Sequence, residues 1–186
     1  MMNYLTNPST VVAFTMARTM VRLIMQVGMV FSNAIRPEVS RLLGEGNDTQ
    51  AVKVILRGSV LAAGLAVIGL LGVAIVGPWL LQIWSSGEVK LSAKFLSLLA
   101  LHAMVNVLWY VPATYLFAIN RHAQISWVYM CISILVFLGW WMFYGENTML
   151  EASLVMLTIE LLTAIFIIRS WRLGYGSQTS LWSRAK

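Results

Sequence analysis

Arg18 and Arg22 stand four residues apart in an apolar stretch, so a helix carries both on one face, and Gln26 and Asn33 continue the same stripe. Such a stripe is costly against lipid. An arginine at mid-bilayer costs from ~3 kcal/mol to more than ~10 kcal/mol, so these side chains line a hydrated cavity or find partners. The alternative is snorkelling to the headgroups. Arg18 lies eighteen residues before Arg36, ~27 Å along a helix, and Arg22 lies ~21 Å from it and so nearer the bilayer core. A cavity lined by guanidinium groups suits an anionic substrate, because the planar fork pairs with phosphate oxygens in a bidentate way.

A second stripe, His102, Asn106 and Tyr110, repeats the four-residue spacing. It would serve either as hydrogen-bonding partners for sugar hydroxyls or as polar glue between helices. His102 also titrates near neutral pH in its free form. Glu160 sits between apolar residues with Thr158 and Thr163 nearby. A carboxylate at that depth must be paired, protonated or bound to a cation, so Glu160 is a candidate for coupling to protons or sodium, or a structural partner of Arg22. Glu38, Glu45, Asp48, Glu146 and Glu151 flank turns and are expected to be solvated. There is no phosphate-cradling glycine loop with lysine, no paired histidines at metal spacing and no nucleophile elbow. Gly44-Glu45-Gly46 is too short and acidic for such a loop. No catalytic residue, metal ligand or cofactor is therefore assigned, and the chain is not read as an enzyme.

The elements that must hold these residues are membrane helices. Windows of roughly 20 apolar residues select five spans, about 9–35, 54–84, 95–119, 125–143 and 149–168. Arg36-Pro37 is expected to end the first, since proline lacks a donor and disfavours helix in the residue before it. Gly44 to Asp48 reads as a turn, with Asp48 or Thr49 placed to cap the second helix. Gly77-Pro78 should kink that helix, and Pro112 interrupts the third. The short Asn120-Arg121-His122 connection predicts that the third and fourth spans are antiparallel neighbours. Trp140-Trp141 suits the headgroup level, and Arg169-Ser170-Trp171-Arg172 opens a polar tail.

Composition agrees with a bilayer as solvent. Of 186 residues, 59% are hydrophobic and 11% charged, and mean hydropathy is +0.78, too little charge to coat a soluble globule. The net charge of +6 does not indicate nucleic acid, because the basic residues lie between apolar runs rather than on one face. Nine Lys and Arg fall on one side of the spans (Arg36, Arg41, Lys53, Arg57, Arg121, Arg169, Arg172, Arg184, Lys186) and two on the other (Lys90, Lys94). That asymmetry puts the C-terminus in the cytoplasm and the N-terminus outside. Residues 1–12 show no secretory signal pattern. The lone Cys131 reads as a small buried packing residue. The fold class is thus an all-α, multi-pass membrane bundle forming one transmembrane domain over residues 1–186, and an odd number of spans with the N-terminus outside suggests a piece of a longer chain.

The text from Val12 through Arg18 to Gln26, then Asn33-Ala34-Ile35-Arg36-Pro37-Glu38-Val39-Ser40, with the later Gly44 to Asp48 turn, Gly77-Pro78 and Asn120-Arg121-His122, resembles the polysaccharide (O-antigen) flippase family. That family belongs to a superfamily that also holds multidrug exporters. The resemblance implies a bacterial inner-membrane transporter of two six-helix lobes. In it, a lipid-pyrophosphate-linked oligosaccharide of lipopolysaccharide biosynthesis crosses from the cytoplasmic to the periplasmic leaflet by alternating access, driven by an ion gradient. These five spans would be the later helices of the second lobe, with membrane lipids and a missing first lobe or other glycan-assembly proteins as partners. Arg18 and Arg22 match the family's basic cavity residues. The rivals are a cation-coupled drug exporter and a noncatalytic membrane scaffold.

Overall fold

The computed structural model describes residues 8–89, 91–143 and 149–182. Among them the chain forms only helices and turns: α1 (Pro8–Gly44), α2 (Asp48–Trp84), α3 (Ala93–Tyr110), α4 (Thr114–Ala118), α5 (His122–Phe143) and α6 (Met149–Trp182). Five of these, all but α4, are long and apolar enough to cross a membrane. The protein is an all-α membrane helix bundle. Its outer faces agree with this: Val60, Leu61, Leu65, Ile68 and Ile75 of α2 are exposed, a surface that lipid rather than water can cover.

The helix ends follow local chemistry. Past α1 the Asn47 amide donates to the Leu42 carbonyl at 2.8 Å while Gly46 takes φ 72°, the left-handed closure that glycine permits at a helix end. The cap of α2 is Asn47, whose side chain accepts from the Gln50 amide, one residue before the expected Asp48 or Thr49. Its φ of −97° is non-helical and lets Oδ1 turn back. Ser92 caps α3 by accepting from the Phe95 amide.

One proline expectation changes. Arg36-Pro37 does not end α1, which continues to Gly44. Pro37 removes only the donor that would reach the Asn33 carbonyl. The following turns are held by Val39 and Leu42, buried against Ala51 and Ile55 of α2, and by Arg41 bridging Glu38 and Glu45. Pro78 lies inside α2, which runs on to Trp84, the expected end of that span. Pro112, by contrast, does divide the third span. α3 stops at Tyr110, and the chain tightens through Thr114 N–H to Val111 O and Tyr115 N–H to Pro112 O before α4. The fifth span, Leu150–Ser170, lies where expected, but its helix does not end there, since α6 passes through Arg169 to Trp182. Lys90, Glu146, Arg184 and Lys186 lie outside the described residues, as do the side chains of Trp171 and Arg172.

α3 is the centre of the bundle, packing on α1, α2 and α6. Between α1, α2 and α3 the core is built on Ala17, Ala62, Ala66, Ala100 and Ala103 with Val21, Leu96 and Leu99, small residues that let backbones approach without a hydrophobic driving force. Gly77 belongs to this seam: a Cβ there would stand 3.1 Å from Met20 Cε and 3.5 Å from Leu96 Cδ1. Across the short connection at residue 120 the third and fourth spans meet, with Tyr129 of α5 against Trp109 of α3 at 6.3 Å between ring centroids and Ile125 in one cluster with Trp109 and Leu116. α5 packs on α6, which lies against α3. The turn itself closes as glycine-like turns do, with Asn120 at φ 59° and the Arg121 amide donating to the Leu116 carbonyl at 2.8 Å. Cys131, expected in the packing, is exposed on α5, the helix whose spanning window is only 6% buried.

Candidate functional site

Glu160 is the deepest charged group of the described bundle, with 0% exposure. α6 turns Ser153, Glu160, Thr163 and Ile167 inward, positions seven, three and four apart that share one helix face. α3 answers with Asn106 and Trp109, three apart on its own face. Asn106 Nδ2 donates to Glu160 Oε2 at 3.1 Å and Trp109 Nε1 donates to the same oxygen at 2.5 Å. From α5, Tyr129 Oη donates to Oε1 at 3.2 Å. Three helices thus converge on one carboxyl. A lone carboxylate in such a place costs several kcal/mol, and three donors offset that by about 1.5–3 kcal/mol for each charge-assisted bond.

The Trp109 ring lies between two neighbours, Tyr129 at 6.3 Å and Tyr110 at 5.6 Å between centroids. Tyr110 passes the contact on to Phe117 at 5.5 Å, and Arg36 sits over the Phe117 ring at 5.8 Å while donating to its carbonyl oxygen. Tyr110, expected in one stripe with His102 and Asn106, therefore belongs to this aromatic run rather than to the carboxyl. His102 lies one turn before Asn106, beside the Met156 backbone and within electrostatic reach of Glu160. Its Nδ1 is buried with no hydrogen-bond partner.

Arg18, Arg22, Gln26 and Asn33 are all exposed, so none of the chain's own described helices covers them. Glu160 does not pair with Arg22; its partners are Asn106, Trp109 and Tyr129, and the described salt bridges are those of Arg41 with Glu38 and Glu45. Thr158 and Thr163 do not serve the carboxyl as donors either, because each hydroxyl donates to the carbonyl four residues back on α6.

Sequence reasoning missed Trp109 and Tyr129. Both have an apolar body and one polar atom, so hydropathy hides them. A signal was present nonetheless: a carboxyl in a span requires donors, and Trp109 lies three residues from Asn106, on the face already singled out. Ser32 and Thr114 form a second buried polar contact, hydroxyl to hydroxyl at 2.8 Å, which ties α1 to α4. No group of His, Cys, Asp and Glu fit to hold a metal occurs among the described residues. Comparisons with protein families, curated proteins and solved structures return no match for this chain.

Proposed function

We propose that this chain is the later part of the second lobe of a polysaccharide flippase, multi-pass in a bacterial inner membrane with its N-terminus outside and its C-terminus cytoplasmic. With the helices of a first lobe it moves a lipid-pyrophosphate-linked oligosaccharide from the cytoplasmic to the periplasmic leaflet by alternating access, without covalent chemistry. One observation supports the reading: the Arg18, Arg22, Gln26 and Asn33 face of α1 is left uncovered by the bundle. Guanidinium groups left against acyl chains cost ~3 kcal/mol or more at mid-bilayer unless they snorkel to the headgroups. A hydrated path shared with a second lobe satisfies them, and a pyrophosphate is the ligand their geometry fits.

Glu160 is the coupling group in this reading, and its donor set favours the proton over sodium. A hard cation takes oxygen ligands, whereas Glu160 Oε2 faces two N–H groups that cannot accept. A proton fits Oε1, where the only partner described is a hydroxyl able to switch from donor to acceptor, Tyr129 Oη. Loading the proton reverses the direction of the bond between α5 and α6.

The exporter alternative draws on a different observation, the Trp109 and Tyr129 rings beside a carboxyl, which would suit an organic cation. The test is complementation of a strain lacking its O-antigen flippase, with this chain alone and fused behind a first lobe. Restored surface polysaccharide, lost on Arg22→Ala, is the expected result. Failure of every membrane-inserted fusion to restore it, with export of a cationic dye instead, overturns the flippase reading in favour of the exporter.

A further inference from the structure

α2 packs on α1 and α3 through a buried stripe that runs along Ala51, Ile55, Gly58, Ala62 and Ala66. Helical periodicity sets Lys53, Arg57, Val60, Gly64 and Ile68 on the opposite face. All five are exposed, Val60 by 71% and Ile68 by 65%. This outer face is cationic at one end and apolar along the rest.

The charged end lies at a membrane boundary. Arg57 is the last charged residue before Glu88, so an uncharged run long enough to cross the hydrocarbon core begins directly after it. Lys53 stands one turn further out. Long basic side chains at such a boundary lay their methylenes on the apolar surface and hold the charge among headgroups. No described carboxylate forms a salt bridge with either. Of those expected to be solvated, Glu38 and Glu45 are held by Arg41 at 2.7 and 2.6 Å. Asp48 is half-buried and shares the packed face of α2 with Ala51 and Ile55. Glu151 is also half-buried, in the first turn of α6, at the other end of that helix from Ile167, which shares a cluster with Ile55.

Gly64 notches the apolar part. A Cβ there would meet nothing within 4 Å, so between Val60 and Ile68 the helix surface drops to backbone. The notch lies ~10 Å along the axis from Arg57, about the reach from a phosphate past a glycerol ester into the first carbons of an acyl chain. Charge complementarity selects the occupant. A phosphate pairs bidentately with the guanidinium and as a point charge with the ammonium, and a lipid of net negative charge suits both, whereas a zwitterionic one brings its own ammonium against them.

We propose that the outer face of α2 binds an anionic phospholipid, its phosphate between Lys53 and Arg57 and one acyl chain in the notch at Gly64. The site goes beyond the transport reading and does not rest on it. The test is native mass spectrometry of the full chain, delipidated in detergent and offered equimolar phosphatidylglycerol, phosphatidylethanolamine and phosphatidylcholine with identical acyl chains. The expected result is a preference for phosphatidylglycerol that falls about fivefold on Arg57→Gln and again on adding Lys53→Gln, the factor one basic side chain supplies at a membrane surface. Arg121→Gln, at an exposed arginine outside the site, should leave the preference in place. Gly64→Leu should keep its helical circular dichroism, because the position is open, and should retain less phosphatidylglycerol; unchanged retention contradicts the assigned notch. No preference in the wild type, a preference that survives the double substitution, or an equal fall on Arg121→Gln, which marks diffuse attraction to the whole basic surface, overturns the proposal. A dimer that Gly64→Leu dissociates gives this face to a second copy and overturns it as well.

Discussion

Glu160 holds its place because Asn106, Trp109 and Tyr129 each give it a hydrogen, and the cost of disturbing it differs from side to side. Glu160→Ala leaves the Asn106 amide and the Trp109 indole buried without an acceptor, about 1–3 kcal/mol for each, and opens a void as well. Thermal unfolding in detergent should show a fall of several degrees, with a smaller one for Glu160→Gln, which retains an acceptor and the volume. Tyr129→Phe keeps the ring against Trp109 and removes a single hydrogen bond, so unfolding should change by about 1 kcal/mol or less. Transport by a lobe-completed protein should then lose its dependence on the proton gradient; unchanged dependence would remove Tyr129 from the coupling. The polarity of Glu160, His102 and Asn106 was visible in the sequence because each interrupts an apolar run. Their partners were not, because tryptophan and tyrosine count as apolar in any hydropathy window.

Among the elements, the five spans were legible in the sequence, and what was not legible was where helices stop. Residue Pro37 shows why: an interior proline removes one donor and the expected break follows, yet Val39 and Leu42 bury in the turn beyond it and carry α1 on to Gly44. Pro112 breaks its helix at a place where the following residues Ala113, Thr114 and Tyr115 can bury in a separate segment. Tertiary packing decided both outcomes, and no local pattern contains it. That α5 packs chiefly on α6 was hidden for the same reason, since a short loop fixes proximity at one end only. The seam between α1 and α3 is set by Gly28, where a Cβ would lie 3.3 Å from Val107 Cγ2 and 3.4 Å from its Cα. Gly28→Leu should therefore cost about 1–3 kcal/mol by overpacking. Gly72→Leu on α2, where a Cβ meets nothing within 4 Å, should leave the unfolding temperature nearly unchanged.

For the whole molecule, the proposed reading takes the orientation from charge and the function from the uncovered stripe. Nine basic residues on one side against two on the other predict that a fluorescent protein fused after Lys186 matures in the cytoplasm; an active periplasmic phosphatase at the same fusion point would reverse the topology. The proposed function requires α1 to face water inside the membrane. In a Cys131→Ser background, single cysteines at Arg18, Arg22 and Gln26 can be compared with single cysteines at Leu23 and Val30, which are exposed on a neighbouring face. The measurement is labelling by a membrane-impermeant thiol reagent, in cells carrying the chain fused behind a first lobe. Rapid labelling at positions 18, 22 and 26 with none at 23 and 30 is the predicted result, and equal labelling, or protection of the arginine positions, would contradict a hydrated, anion-binding path along this face.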